Sequence, residues 1–182
     1  MTYADLEFLG EDTLVKVIPK ITIDTTLQLL DQEVGPFMAH DREGVEVPFF
    51  VARQMQDLKW VYIQRPEWLN PVQLAAKIAE EREQSARLSE LPPKFWELAL
   101  LYLSEEETGM IQQEKKEIVS LLETLMQLRR DKITSDAKKI DSSFRHIQLT
   151  NLSQVEIMEL RPQVLGLMNS YSALELHTME DL

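Results

Sequence analysis

Three histidines, His40, His146 and His177, are the first candidates for proton transfer or metal ligation, and each stands apart from the others. A metal centre takes several His, Cys or carboxylate ligands at set spacings, and no His-x-x-x-His pair occurs. His40-Asp41 is the one local pair, and it reads as a loop histidine. Glu80, Glu81 and Glu83 could in principle supply an acid and a base. They are expected on the charged outer face of a helix with Arg82 and Gln84, where nothing desolvates them and nothing tunes their pKa. Nucleophile and phosphate signatures are absent: there is no Gly-x-Ser-x-Gly, no Gly-x-x-x-x-Gly-Lys and no Gly-x-Gly-x-x-Gly, and the chain has only 5 glycines in all. Cysteine is missing altogether, which removes disulfides, thiolate zinc sites and thiol nucleophiles. A non-catalytic chain without metal or cofactor is the expectation.

Aromatic side chains at Trp60, Trp68, Phe95 and Trp96 could serve as stacking platforms for bases. Each sits in an apolar context, so core packing or the anchoring of one domain on another is the expected role. The formal charge of -12, from 31 acidic and 19 basic residues, repels phosphate backbones, and little direct nucleic-acid binding is expected of the chain alone. Lys115, Lys116, Arg129, Arg130, Lys132, Lys138 and Lys139 form a local basic cluster, read as a solvated helix face with paired charges. No stretch approaches the roughly 18 apolar residues of a membrane span, and Met1 is not followed by a basic, hydrophobic leader. A soluble intracellular protein without a membrane partner is expected.

The elements that position these residues divide near Arg65-Pro66, where short β-type runs give way to long helical periods. An α+β, mostly α fold follows, with a small β-rich domain over 1–65 and a larger helical domain over 66–182. In the first, Leu14 to Ile18 alternates as a half-buried strand stopped by Pro19, and Leu27 to Leu30 is a second strand. Turns are expected at Gly35-Pro36 and Glu43-Gly44, followed by Val45 to Val47, a helix from Phe49 to Leu58 behind Pro48, and a strand from Trp60 to Ile63.

In the second domain, Asn70-Pro71 opens a helix running to about Arg87, and Pro92-Pro93 introduces one carrying Phe95, Trp96, Leu98, Leu101 and Leu103. A long helix from about Met110 to at least Lys132 carries Ile118, Val119, Leu121, Leu122, Leu125, Met126 and Leu128. At 100° per residue these spread over roughly half the wheel, wider than the ~100° stripe of a surface helix, so two neighbours are implied. Ser153 to Glu156 has capping-box spacing before a second wide apolar run from Ile157 through Val164, Leu165, Met168 and Tyr171. A small bundle cannot bury both helices, and partner chains are expected to cover the rest. Candidate interface residues are Ile118, Leu121, Leu122, Leu125, Leu128, Arg129, Ile157, Val164, Leu165, Met168 and Tyr171. A self-sufficient adaptor or homodimer is the alternative.

Ordered short motifs add a resemblance over nearly the whole chain. Glu7-Phe8-Leu9 with Val17-Ile18-Pro19, then Gly35-Pro36-Phe37 and Val45-Glu46-Val47-Pro48, then Pro66-Glu67-Trp68-Leu69, resemble blocks of the Psf-two subunits of the GINS complex. Leu91-Pro92 with Phe95 and Glu97, Arg129 with Lys132, and Asn151-Leu152 with Glu156-Ile157 continue the likeness in the same order. Phe49-Phe50 departs from the Leu-Trp usual in that family, keeping a large apolar pair. The resemblance implies a nuclear, non-catalytic subunit bound through its helical domain to Psf-one, Psf-three and Sld-five types. With the Cdc-forty-five protein and the MCM hexamer it would form the replicative helicase, ATP hydrolysis being left to MCM.

Overall fold

The computed structural model describes residues 8, 10–24, 26–29, 32–39, 43–84, 87–105, 110–138, 150–162 and 165–166. Leu30, His40, Asp41, His146, Val164, Met168, Tyr171 and His177 lie outside them. The fold is α+β and mostly helical, with the strands gathered at the N-terminal end. Strands β1 (Leu14–Pro19), β2 (Leu27–Leu29), β3 (Gln32–Val34), β4 (Val45–Pro48) and β5 (Val61–Ile63) accompany helices α1 (Phe49–Asp57), α2 (Pro71–Glu83), α3 (Phe95–Ser104) and α4 (Gln112–Lys138). Residues 154–162 form a further helix, α5. Contacts divide the chain into a strand-rich unit, 2–70 with 94–115, and a helical unit, 71–93 with 116–182. The division by contacts therefore differs from a single cut at residue 65, because α3 is enclosed in the strand-rich unit.

β1 is central in an antiparallel three-stranded sheet of order β4-β1-β5. Its alternation sends Val15 and Val17 inward beside Val47, Val61 and Ile63, all buried. α1 closes this face with Phe49, Ala52 and Met55. It ends in a Schellman arrangement: Trp60 N–H donates to the Met55 carbonyl at 2.9 Å and Lys59 N–H to the Gln56 carbonyl at 2.8 Å, with Lys59 left-handed at φ 62 where glycine is usual.

Gly44 is required by its place, since its φ is +68° and a Cβ there would stand 2.9 Å from the Val17 carbonyl oxygen. The Gly35-Pro36 bond is cis, with Gly35 at φ 121. Phe37, fully buried, follows it and exchanges backbone hydrogen bonds with Ile23 at 2.8 and 3.0 Å. Leu69 is buried as well, its N–H bonded to the Pro66 carbonyl at 3.1 Å.

α3 is apolar nearly all round, burying Phe95, Trp96, Leu98, Ala99, Leu101 and Tyr102, which is the pattern of a core helix and not a surface one. Phe95 contacts the Trp68 ring at 4.5 Å and the Trp96 ring, edge to face, at 4.9 Å. Tyr102 lies edge-on to Phe49 at 5.6 Å and donates its hydroxyl to the Gln64 carbonyl at 3.0 Å. Burial pushes the Tyr102 hydroxyl well above the usual phenol range.

Candidate protein-protein interface

In the helical unit, α4 carries its buried residues on one line. Ile118, Leu122, Leu125, Arg129 and Ile133 are enclosed, and at 100° per residue they occupy about 80° of the wheel. Val119 and Met126 flank one edge of that line and Leu121 and Leu128 the other, all four partly or largely accessible. The half-wheel of apolar residues thus resolves into a centre covered by the chain itself and two open margins. Ile118, Leu125 and Arg129, expected from the sequence to face a partner, are fully enclosed by the chain itself, and Leu122 is 8% exposed. Leu121 and Leu128 keep some, while Ile157 and Leu165, with Met158 beside them, are about half exposed.

Arg129 sits in the middle of this apolar line with 0% exposure, and every one of its donors is engaged. Nε donates to Glu156 Oε1 at 2.6 Å, and Nη2 to Glu156 Oε2 at 3.0 Å and the Asn151 carbonyl at 2.7 Å. Nη1 donates to Glu81 Oε2 at 3.0 Å and to the Ser89 carbonyl at 2.8 Å. These contacts use the full fork of five N–H groups, two of them in a bidentate grip on one carboxylate.

Glu81, expected on a solvated helix face, is instead 0% exposed. Besides Arg129, it accepts from the Ser89 N–H at 3.0 Å, the Ser89 hydroxyl at 2.5 Å and Lys132 Nζ at 2.6 Å. The reason is register: Glu81 follows Leu74 and Ile78 on the buried line of α2, seven and three residues on. Burial alone would raise its pKa, but the hydrogen bonds from Lys132 and Ser89 and the charge of Arg129 outweigh it and hold the carboxyl below its ordinary value. Burial likewise works against the Arg129 charge, and Glu156 and Glu81 more than compensate, raising its pKa.

Lys132 completes a balanced set of two cations and two carboxylates. Its ammonium also donates to the carbonyls of Glu81, Gln84 (2.7 Å) and Arg87 (3.2 Å). It thereby satisfies the end of α2, which stops at Glu83 and not near Arg87 as the sequence period suggested. The capping box at Ser153 is present: Glu156 Oε2 accepts from the Ser153 N–H and hydroxyl at 2.9 Å each, and the Glu156 N–H reaches Ser153 Oγ at 3.3 Å. Glu156 therefore caps α5 and anchors it to Arg129 at once. Beside this set, Leu88, Ile133, Leu160 and Leu152 form a small apolar core.

The family profile described as "GINS complex protein helical bundle domain" matches residues 68–175, and that described as "PSF2 N-terminal domain" matches residues 2–64. The chain belongs to the GINS complex family, in its PSF2 branch. Similar proteins named "DNA replication complex GINS protein PSF2" occur in Debaryomyces hansenii, 29% identical over 91% of this chain and 78% of the relative. Those of Saccharomyces cerevisiae (26% identical, covering 96% and 86%) and Homo sapiens (27%, covering 86% and 83%) bear the same name.

In this GINS chain the arrangement ties distant segments together. Glu81 is fully enclosed and Glu156 nearly so, and each oxygen of both carboxylates accepts at least one hydrogen bond. Among the described residues no group of three His, Asp or Glu side chains is placed to hold a metal ion. What the four-charge cluster can do is hold α5 against α4. A cleft between these two helices has Met126, Ile133 and Leu160 in its lining, with Arg130 Nη2 bonded to both oxygens of Glu159 at 2.8 Å.

Proposed function

We propose that this chain is a non-catalytic subunit of the four-subunit GINS assembly, binding Psf-one, Psf-three and Sld-five types through its helical unit. The assembly joins the Cdc-forty-five protein and the MCM hexamer in the nuclear replicative helicase. The observation that carries the reading is the contrast on the helical unit between a completed core and open apolar margins. Ile118, Leu122 and Leu125 are enclosed by the chain, while Leu121, Leu128, Ile157, Met158 and Leu165 keep apolar surface in water. Accessible apolar side chains grouped on two helices are the usual mark of a surface awaiting another chain. Family membership supports the identity of those chains. The formal charge of -12 supports leaving DNA mainly to the neighbours.

Co-expression with the three other subunit types tests this directly. A stable assembly with one copy of each is expected, and Ile157→Asp should reduce its recovery while leaving the chain's own helix content unchanged. Recovery of this chain alone as a well-behaved monomer, with no partner retained, would sink the proposal.

A further inference from the structure

The outer face of the three-stranded sheet is a second surface, separate from the helical margins above. An antiparallel sheet with one face on the core normally turns polar residues to water. Here the outward positions pair across the strands as Leu14 with Pro48, Lys16 with Glu46 and Ile18 with Tyr62. The Lys20 N–H donates to the Trp60 carbonyl at 2.7 Å, adding a fourth rung. Five of these eight side chains are aliphatic, proline or aromatic, and three of them are strongly accessible: Tyr62 58%, Leu14 53% and Trp60 36%.

The charges on this face run against the rest of the molecule. Lys16 and Lys20 stand on either side of the Ile18-Tyr62 rung, and Glu46 is the one acid among the eight. The Lys20 ammonium lies 3.6 Å from the centre of the Tyr62 ring. A chain of net charge -12 thus presents here a locally cationic, aromatic surface. Along β1 the two lysines are four residues apart, about 13 Å at the rise of a strand.

We propose that this face docks an extended acidic segment of another protein, in which an apolar side chain lies midway between two carboxylates. The apolar residue would rest on Ile18, Tyr62 and Trp60, and the carboxylates would meet Lys16 and Lys20. Exposed Trp and Tyr are the side chains most often found to anchor such contacts. A nucleic-acid strand fits less well: Leu14, Ile18 and Pro48 offer nothing to a phosphate backbone, and the field of the whole chain repels it.

Fluorotryptophan labelling of the full chain, alone or in the assembled complex, gives a local readout by fluorine NMR, with Trp60→Phe identifying the Trp60 signal. The probes are a short peptide with leucine midway between two glutamates four residues apart, its lysine-for-glutamate counterpart, and a short oligothymidylate. The glutamate peptide should move the Trp60 signal and leave those of Trp68 and Trp96 in place. Lys20→Glu should weaken that response about five- to tenfold, the effect of removing and reversing one surface charge contact. No shift at millimolar peptide, an equal shift with the lysine counterpart, or a larger shift with oligothymidylate would each overturn the proposal. The unsubstituted chain keeps the two proposals separable: failure of the four-subunit assembly to form, with the Trp60 response to the glutamate peptide present, breaks only the earlier one, and an assembly formed by a chain that gives no Trp60 response breaks only this one.

Discussion

The helical unit is organised around a buried cluster of charges, whereas the strand-rich unit is organised around an aliphatic and aromatic core of Phe37, Phe49, Phe95 and Tyr102. The difference shows how each unit is made specific. Large side chains in the strand-rich unit are placed by shape: Phe49 meets Tyr102, and Phe95 meets Trp96, edge to face. In the helical unit the apolar core is small, and Arg129 at its centre engages all five of its donors with groups from three distant segments. Buried ionic groups are costly to assemble and still costlier to break, so they select a single register more than they add stability.

Substitutions can break that contrast in descending order of effect. Leu125→Asp should be the most damaging, because it places an unpaired charge at a fully buried position; a loss of about 5 kcal/mol or more, unfolding the helical unit, is expected by chemical denaturation with circular dichroism. Arg129→Met leaves Glu156 buried without its cation and Glu81 with Lys132 alone, and about 3–5 kcal/mol should be lost. Hydrogen exchange should then rise first in residues 150–162, with the strand-rich unit little changed.

Acidification attacks the same cluster more gently. Because the folded Glu81 carboxyl has a pKa below its ordinary value of 4.5, its contribution is complete above that value and is lost as pH falls through the lower folded pKa. The denaturation midpoint of the helical unit should therefore drop below about pH 4.5, and Glu81→Gln should flatten that part of the profile. Tyr102→Phe, which removes one buried hydroxyl-to-carbonyl bond and keeps the ring packing, should cost about 1 kcal/mol. Arg130→Ala breaks an ion pair that is about half exposed, and less than about 0.5 kcal/mol is expected. A larger loss there would mean that the cleft beside Glu159 depends on that pair.

Much of this architecture was legible from residue spacing. The alternation of Leu14 to Ile18, the turn at Glu43-Gly44, the proline-led starts of α1 and α2 and the capping box at Ser153 all depend on neighbours within a few positions, and the structure has each of them, with β1 running one residue further, through Pro19, than expected. Local rules suffice where the deciding atoms are local. Glu81 was misplaced because a run of charged residues, Glu80 to Glu83, reads as one solvated face. Its register with Leu74 and Ile78, and that of Arg129 with Leu122 and Leu125, was a signal available in the sequence. Two opposite charges on two apolar lines imply a buried pair. The end of α2 was misjudged for a related reason, since the group that satisfies its last carbonyls is Lys132, some 50 positions away.

By itself the sequence determined most of the helices and strands, though not β3 or the end of α2, together with the absence of known catalytic signatures and the ordered motifs of the GINS family. Those follow from side-chain type and short-range spacing. Only the tertiary structure decided which half of an apolar helix the chain keeps for itself and which charges go inside. An apolar residue is equally content in its own core or against a partner, and a charge can be buried only where its counter-charges arrive from distant segments. Glu81, Arg129 and Glu156 are 48 and 27 residues apart along the chain, and their meeting is a property of the fold.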